Sequence, residues 1–412
     1  MSPAWRALAA ALALAALPAA GSQEGLARWF DPTTAPFIPV PEIDLDPNAG
    51  TTVGLIPTWL QTDSQGQIRR IWAPDVIYNP YFGWGARARV FDFGSADTQW
   101  SVVGGAKERV ESEFDAQYIS GRERATPLSY SLQLLYDRSG TARFYGVGNE
   151  THSYDETVYT DQQQYFGAQA GWNLSHAWQL AWYLSPREVT ITGGQLDGIP
   201  STDERFPHLP GLGTTREFLN RLLVTYDTRD DPTIPRRGGE LVLYGALASR
   251  CYCLNDSLYS ETGGDARFFW SPDEVFTWAF HGALRYLPSV HQLPFWALST
   301  LGGDANALGG AQLLRGFGAG RFSDRNAFSA SVEMRARVAD FDAVSTHIQL
   351  QLTPFIDTGS VFRGNGDSPL AHLHNAIGVG IRALARPFVV GYLDVGKGSE
   401  GVVAFSGINY PF

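Results

Sequence analysis

The chain has 412 residues, 44% hydrophobic and 18% charged, with 44 Gly, 24 Pro, 2 Cys and a net charge of −11 from 31 basic against 42 acidic residues. That composition excludes a disordered, collagenous or disulfide-stapled chain, and the acidic balance excludes nucleic acid as a partner, because phosphate binding needs a basic face. A mean hydropathy below zero excludes a bundle of membrane helices, while 12 Trp, 17 Tyr and 24 Phe in a weakly charged chain suit long strands with one apolar face.

At the N-terminus, Arg6 precedes the apolar run Ala7 to Leu17, followed by Pro18, Ala19, Ala20 and Gly21. This pattern reads as a secretory signal peptide over residues 1–21, and no later stretch is long and apolar enough for a membrane helix. Residues 22–71 contain Pro32, Pro36, Pro39, Pro41, Pro47 and Pro57 and are expected to be a periplasmic lead-in without regular elements.

From residue 72 to 412 apolar and polar residues alternate. Strands are expected near 72–80, 84–94, 98–106, 110–120, 128–138, 158–175, 177–192, 216–229, 239–250, 258–271, 274–286, 326–340, 346–362, 372–386, 387–397 and 401–412. In the fifth, Leu128, Tyr130, Leu132, Leu134 and Tyr136 oppose Ser129, Ser131, Gln133 and Asp137; in the twelfth, Phe328, Ala330, Val332 and Met334 oppose Ser329, Ser331, Glu333, Arg335 and Arg337. A dry sandwich core does not tolerate that many charges. Runs of about ten residues are what a tilted strand needs to cross a bilayer. The expected fold is therefore all-β, a transmembrane antiparallel β-barrel of about 16 strands with lipid outside and a polar lumen inside. The long breaks 193–215 and 287–325 are expected to be loops. The last strand places Val402, Ala404, Ile408, Tyr410 and Phe412 on one face, although Pro411 weakens its pairing. Its terminal aromatic resembles the recognition signal of bacterial outer-membrane barrels.

The loop before the twelfth strand contains Leu314, Arg315, Gly316, Phe317, Gly318, Ala319, Gly320 and Arg321, and the thirteenth strand contains Phe355, Ile356, Asp357, Thr358 and Gly359. On these residues the chain, over roughly 72 to 412, resembles the barrel of the BamA/TamA family, also called the bacterial surface antigen family, of insertases and two-partner secretion transporters. The resemblance implies an Arg-Gly-aromatic motif, here Arg315, Gly316 and Phe317, on a loop that enters the lumen and is held by acidic residues of the wall. Parity supplies candidates: Asp357 shares a polar face with His347, Gln349, Gln351 and Thr353, and Glu333 lies on the polar face of the twelfth strand. An Arg fork grips a carboxylate bidentately, so Arg315 bonded to Asp357 with Glu333 near is one reading. The other is a solvated Arg315, with Asp357 paired to Arg335 or Arg337.

Asp227, Arg229, Asp230, Pro235 and Gly238, between the eighth and ninth strands, resemble the family's turn at the periplasmic rim. Clustered Asp suits either calcium or a tight turn capped by Asp, and the turn is the expected reading. Enzyme signatures are absent: there is no nucleophile elbow, no metal-binding His-Glu-x-x-His and no phosphate loop. No catalytic residue, metal or cofactor is expected, and Cys251 and Cys253 read as a loop feature. The resemblance implies residence in the bacterial outer membrane, contact with its lipid and lipopolysaccharide, and insertion by the barrel assembly machinery. It also implies assistance to polypeptide insertion or translocation; the alternative is a passive channel or structural barrel, and a hydrolase ranks last. Family insertases carry POTRA modules, for which 22–71 is too short and too broken. A separate periplasmic partner or a narrow client is then expected to replace them.

Overall fold

The structure, a computed structural model, describes residues 38–412 apart from 63–67, 96, 344–345, 365, 386–387 and 408–409. The proposed leader 1–21 lies outside the described residues. Strands β1 (Ile38–Asp46), β2 (Gly50–Thr62), β3 (Ile68–Trp72), β4 (Asp75–Asn79), β5 (Gly83–Asp92), β6 (Thr98–Lys107) and β7 (Ser112–Ser120) are followed by β8 (Leu128–Phe144), β9 (Thr157–Asn173) and β10 (Trp178–Gly193). The wall continues through β11 (Gly213–Asp227), β12 (Gly238–Ser249), β13 (Leu258–Trp270) and β14 (Phe276–Gln292). A loop then carries a separate small sheet of β15 (Ser299–Leu301), β16 (Ala311–Gln312) and β17 (Phe322–Asp324), after which β18 (Asn326–Ala343), β19 (Thr346–Phe362), β20 (His374–Ala385), β21 (Phe388–Gly398) and β22 (Gly401–Gly407) complete the wall.

Apart from β1 and β22, which meet at the closure, the wall strands pair antiparallel with their neighbours, with β14 joined directly to β18. The large sheet has 19 strands, of which β3 and β4 lie end to end between β2 and β5. Among the described residues the wall thus has eighteen staves. The expected strands correspond to β4–β14 and β18–β22, and the two extra staves come from the Pro-rich lead-in, which is wall rather than irregular chain over Ile38–Asp46 and Gly50–Thr62. Proline interrupts a central strand but is tolerated at an edge, and β1 lies at one.

That edge is where the barrel closes. Among the described residues no backbone ladder joins β1 to β22; instead the Leu45 amide donates to Ser406 Oγ at 2.7 Å, and the Ser406 hydroxyl is within reach of Ile43 O (3.2 Å) and Asp44 Oδ1 (3.1 Å). Ile43 and Leu45 therefore direct their backbone groups at β22. Pro41 and Pro39 occupy the next positions of the same parity and have no N–H to offer.

The outer surface is apolar: Leu128, Tyr130, Leu132 and Leu134 of β8, Leu222 and Val224 of β11 and Ile377, Val379 and Ile381 of β20 are all exposed. Trp172, Trp178, Tyr226 and Trp270 cluster toward the end that carries the short turns, the girdle position of aromatics in such barrels. Long loops gather at the other end, over 145–156, 194–212, 293–325 and 363–373.

Candidate functional site

The loop 293–325 folds back into the lumen, and Arg315 at its inner turn is fully buried. Nε and Nη2 of Arg315 grip Asp357 Oδ2 and Oδ1 at 2.9 and 2.7 Å, and the Arg315 amide donates to the same carboxylate at 3.0 Å. Nη1 bonds Glu333 Oε1 and reaches Asp394 Oδ2 at 3.2 Å, while Nη2 also donates to Ser331 Oγ at 3.0 Å. The guanidinium lies 3.7 Å over the Phe355 ring, a cation–π contact that desolvation strengthens. One loop residue thus touches β18, β19 and β21. Burial opposes its charge, and Asp357 and Glu333 outweigh that, holding the guanidinium well above its usual pKa.

The surroundings balance in charge. Arg335 Nε bonds Glu333 at 3.0 Å and Arg382 Nη2 bonds Asp394 at 2.9 Å, so three arginines face three carboxylates, all buried. A buried charge needs such partners. Of the two sequence readings, the geometry has Arg315 on Asp357 with Glu333 beside it, and Arg337 on Asp340 at 2.6 Å. Asp394 and Arg382 escaped sequence reasoning. Their signal lay in the strand glycines beside them, since Gly inside a strand often marks a close backbone approach. A Cβ on Gly396 would lie 1.8 Å from Arg315 O, and one on Gly398 would lie 2.6 Å from Gly316 O. Gly396→Ala is accordingly expected to push the loop off β21 and lower stability by about 1–3 kcal/mol. Gly245→Ala, with nothing within 4 Å of the added carbon, should leave the urea midpoint of the folded barrel unchanged.

Phe317 is buried with Leu301, Leu314, Phe322, Val361 and Ala376, so the aromatic of the motif seats the loop apolarly where Arg315 seats it ionically. Arg321 forms a second anchor, gripping Glu400 at 2.6–3.0 Å and Thr151 O at 2.7 Å. The loop is also held by Tyr392, whose hydroxyl donates to Asp304 at 2.5 Å, and by Asn306, which donates to Asp265 at 2.6 Å.

At the short-turn end, Arg229 forks onto Asp227 at 2.9–3.0 Å and reaches Glu240 at 2.9 Å. Asp230 Oδ1 accepts the amides of Arg236 and Arg237. Gly238 has φ +88° and would place a Cβ 2.1 Å from Thr228 O, while Pro235 sits within the turn. These contacts are those of a capped turn, and no His, Cys, Asp or Glu cluster suited to a metal occurs among the described residues.

The end of the chain departs from expectation. Ile408 lies outside the described residues, and β22 stops at Gly407. Tyr410 and Phe412 do not continue its outer face but turn into the lumen. The Arg335 guanidinium lies 3.7 Å over the Tyr410 ring, and Phe412 stacks on His281 with centroids 4.9 Å apart. Parity extrapolates a strand only while a ladder holds it, and beyond Gly407 the inner arginine and aromatic contacts win over an edge that Pro411 weakens.

A family profile described as the Omp85 superfamily domain matches residues 97–385. Sequence comparison with curated proteins finds no match. Among solved structures, the chain is similar to BamA from Haemophilus ducreyi lacking POTRA domains 1–3, with 12% identity and a TM-score of 0.55 over 86% of this chain and 75% of that one. Further matches are CdiB from Escherichia coli (10% identity, TM-score 0.48, 89% of this chain and 60% of that one) and CdiB from Acinetobacter baumannii (14%, 0.47, 87% and 65%). This chain spans less than two thirds of either CdiB. The profile covers well over half of the sequence and most of the wall, and on that ground the chain belongs to the Omp85 superfamily of bacterial outer-membrane barrels.

Proposed function

We propose that this barrel assists the insertion or translocation of polypeptides at the outer membrane, with the Arg315 loop as a structural lock rather than a catalytic group. The observation that carries this reading is the pairing of a firmly anchored lumen loop with a poorly bonded seam. Arg315 ties the loop to β18, β19 and β21, whereas β1 and β22 meet through the Ser406 side chain and two prolines remove seam-facing donors. A rigid lumen beside a separable wall suits a client that must leave sideways or pass through. Tyr410 and Phe412, read from the sequence as part of an assembly signal, lie within reach of the same lumen. The client is a polypeptide delivered from the periplasm, by a separate partner or alone, into a setting of outer-membrane lipid and lipopolysaccharide. The proposed leader sends the chain there, and the family's barrel assembly machinery inserts it.

The test is a folding assay in liposomes holding the barrel, to which a urea-unfolded second outer-membrane protein is added. The native barrel is expected to raise the folded fraction above that in empty liposomes, and Arg315→Ala to lose the gain. Equal folding in all three would leave a passive channel, which a steady, salt-proportional conductance in a planar bilayer would then identify.

A further inference from the structure

The chain has 2 cysteines, and they stand two apart in the turn that joins β12 to β13. Both are free thiols, Cys253 exposed and Cys251 half-buried. β12 begins beside the Arg229 turn, so this turn lies at the opposite end of the wall, the end that outer-membrane barrels turn away from the periplasm. Disulfides form and persist at cell surfaces, and exposed thiols, unlike buried structural ones, are open to that chemistry.

The backbone holds both thiols in one tight turn. The Cys251 amide donates to Leu254 O at 3.0 Å and the Leu254 amide to Cys251 O at 2.8 Å, leaving Tyr252 and Cys253 as the central residues. Tyr252 has φ +49°, a strained conformation for a bulky residue, and its side chain is 99% exposed, so no packing offsets the strain. The base of the turn is fixed to β11, where the Arg216 amide donates to Asp256 Oδ2 at 2.8 Å and the Asp256 amide to Arg216 O at 3.0 Å. A disulfide between the two cysteines is a poor staple here. It closes a loop of one intervening residue, already closed by two hydrogen bonds, and cross-link stabilisation grows with the size of the loop. Strained or exposed disulfides are instead the ones that exchange readily. The unequal exposure sets an order: an outside sulfur meets Cys253 first, and Cys251, held beside it, resolves the bond or leaves.

We propose that Cys251 and Cys253 form a thiol–disulfide exchange site on the outer face of the barrel, acting on thiols and disulfides of molecules outside the cell. In the reducing direction the Cys253 thiolate attacks an outside disulfide, forms a mixed disulfide and expels one thiolate, which takes up the proton that Cys253 gave up. The Cys251 thiolate then attacks Cys253 Sγ, closes the ring between the two cysteines and expels the second thiolate, which takes up the proton of Cys251. Two protein thiols are oxidised and one outside disulfide is reduced to two thiols. In the opposite direction an outside thiolate opens the ring at Cys253, and a second one carries the disulfide away. The site lies in the turn alone and works whether or not the lumen handles polypeptides.

The test equilibrates the reduced, folded barrel in detergent micelles with oxidised and reduced glutathione, quenches by alkylation and separates ring, mixed disulfide and free dithiol by mass spectrometry. Oxidised glutathione is expected to close the ring, and reduced glutathione to reopen it through a mixed disulfide on Cys253. In Cys251→Ser that mixed disulfide should accumulate at least about 10-fold over the native barrel, because no second thiol resolves it. In Cys253→Ser the half-buried Cys251 should react with oxidised glutathione about 10-fold more slowly than Cys253 does in Cys251→Ser. Heat-modifiable gel mobility checks that each variant is folded. A reduced two-cysteine peptide is run beside glutathione on the ring form. Faster opening by the peptide, lost in Tyr252→Ala, assigns a polypeptide substrate, and equal opening unchanged by Tyr252→Ala assigns low-molecular-weight thiols. No ring at any ratio of the two glutathiones, or equal reaction rates of the two single-cysteine variants, would overturn the proposal and leave two independent surface thiols.

Discussion

Arg315→Ala is expected to be among the most damaging single changes in the lumen, costing about 3–5 kcal/mol because it leaves buried carboxylates without their counter-charge. The loss is unequal among its partners. Glu333 keeps Arg335 and Asp394 keeps Arg382, but Asp357 retains only Ser331 Oγ, at 2.6 Å, as a side-chain partner. Adding Asp357→Asn to Arg315→Ala should therefore recover part of the loss, giving a cycle in which the double variant is less destabilised than the sum of the two single ones. Urea unfolding in micelles measures the stability. Protease added to intact cells measures the loop, which should be cut within 293–325 in Arg315→Ala and protected in the native barrel. Equal protection in both would remove the lock.

Much of this site was legible in the sequence, and for a physical reason. A strand with lipid on one face and a wet lumen on the other sorts its residues by parity, so alternation alone puts Glu333 on β18 and Asp357 on β19 inside. The partner across the loop followed from Arg chemistry together with the family resemblance. Asp394 was not legible in the same way. It lies on a strand whose polar residues are few, and its importance comes from the loop backbone packing against Gly396, a tertiary approach that alternation does not encode. The lead-in reads as irregular because proline interrupts regular elements, whereas β1 is an edge with its proline parity turned toward the seam, and Pro57 of β2 lies opposite Pro39, between the stretches of β2 that pair with β4 and β3. The end of the chain differs for another reason: alternation extends the last strand to Phe412, whereas Arg335, Gln351 and His281 draw Tyr410 and Phe412 inward.

The seam yields the second large expected effect. Its described bonds are few and one of its two strands lacks donors at positions 39 and 41, so separation of β1 from β22 breaks only a handful of hydrogen bonds, each contributing about 1 kcal/mol net. An ordinary neighbour pair such as β8 and β9 is laddered from Leu128 to Phe144, with one register shift between Ser139 and Ala142, and would cost far more to part. A covalent bond across the seam should therefore abolish any function that needs the wall to open, while leaving the lumen and its Arg315 anchor in place. Cysteines at 44 and 406 place one thiol on each side of the seam, where the Asp44 and Ser406 side chains meet. The native thiols Cys251 and Cys253 are first changed to Ser so that no other disulfide forms.

The most direct measurement is the liposome folding assay with Asp44→Cys/Ser406→Cys, oxidised and then reduced. The account predicts that the oxidised barrel accelerates client folding no better than empty liposomes and that reduction restores the native rate. Full acceleration by the oxidised barrel would contradict a role for the seam.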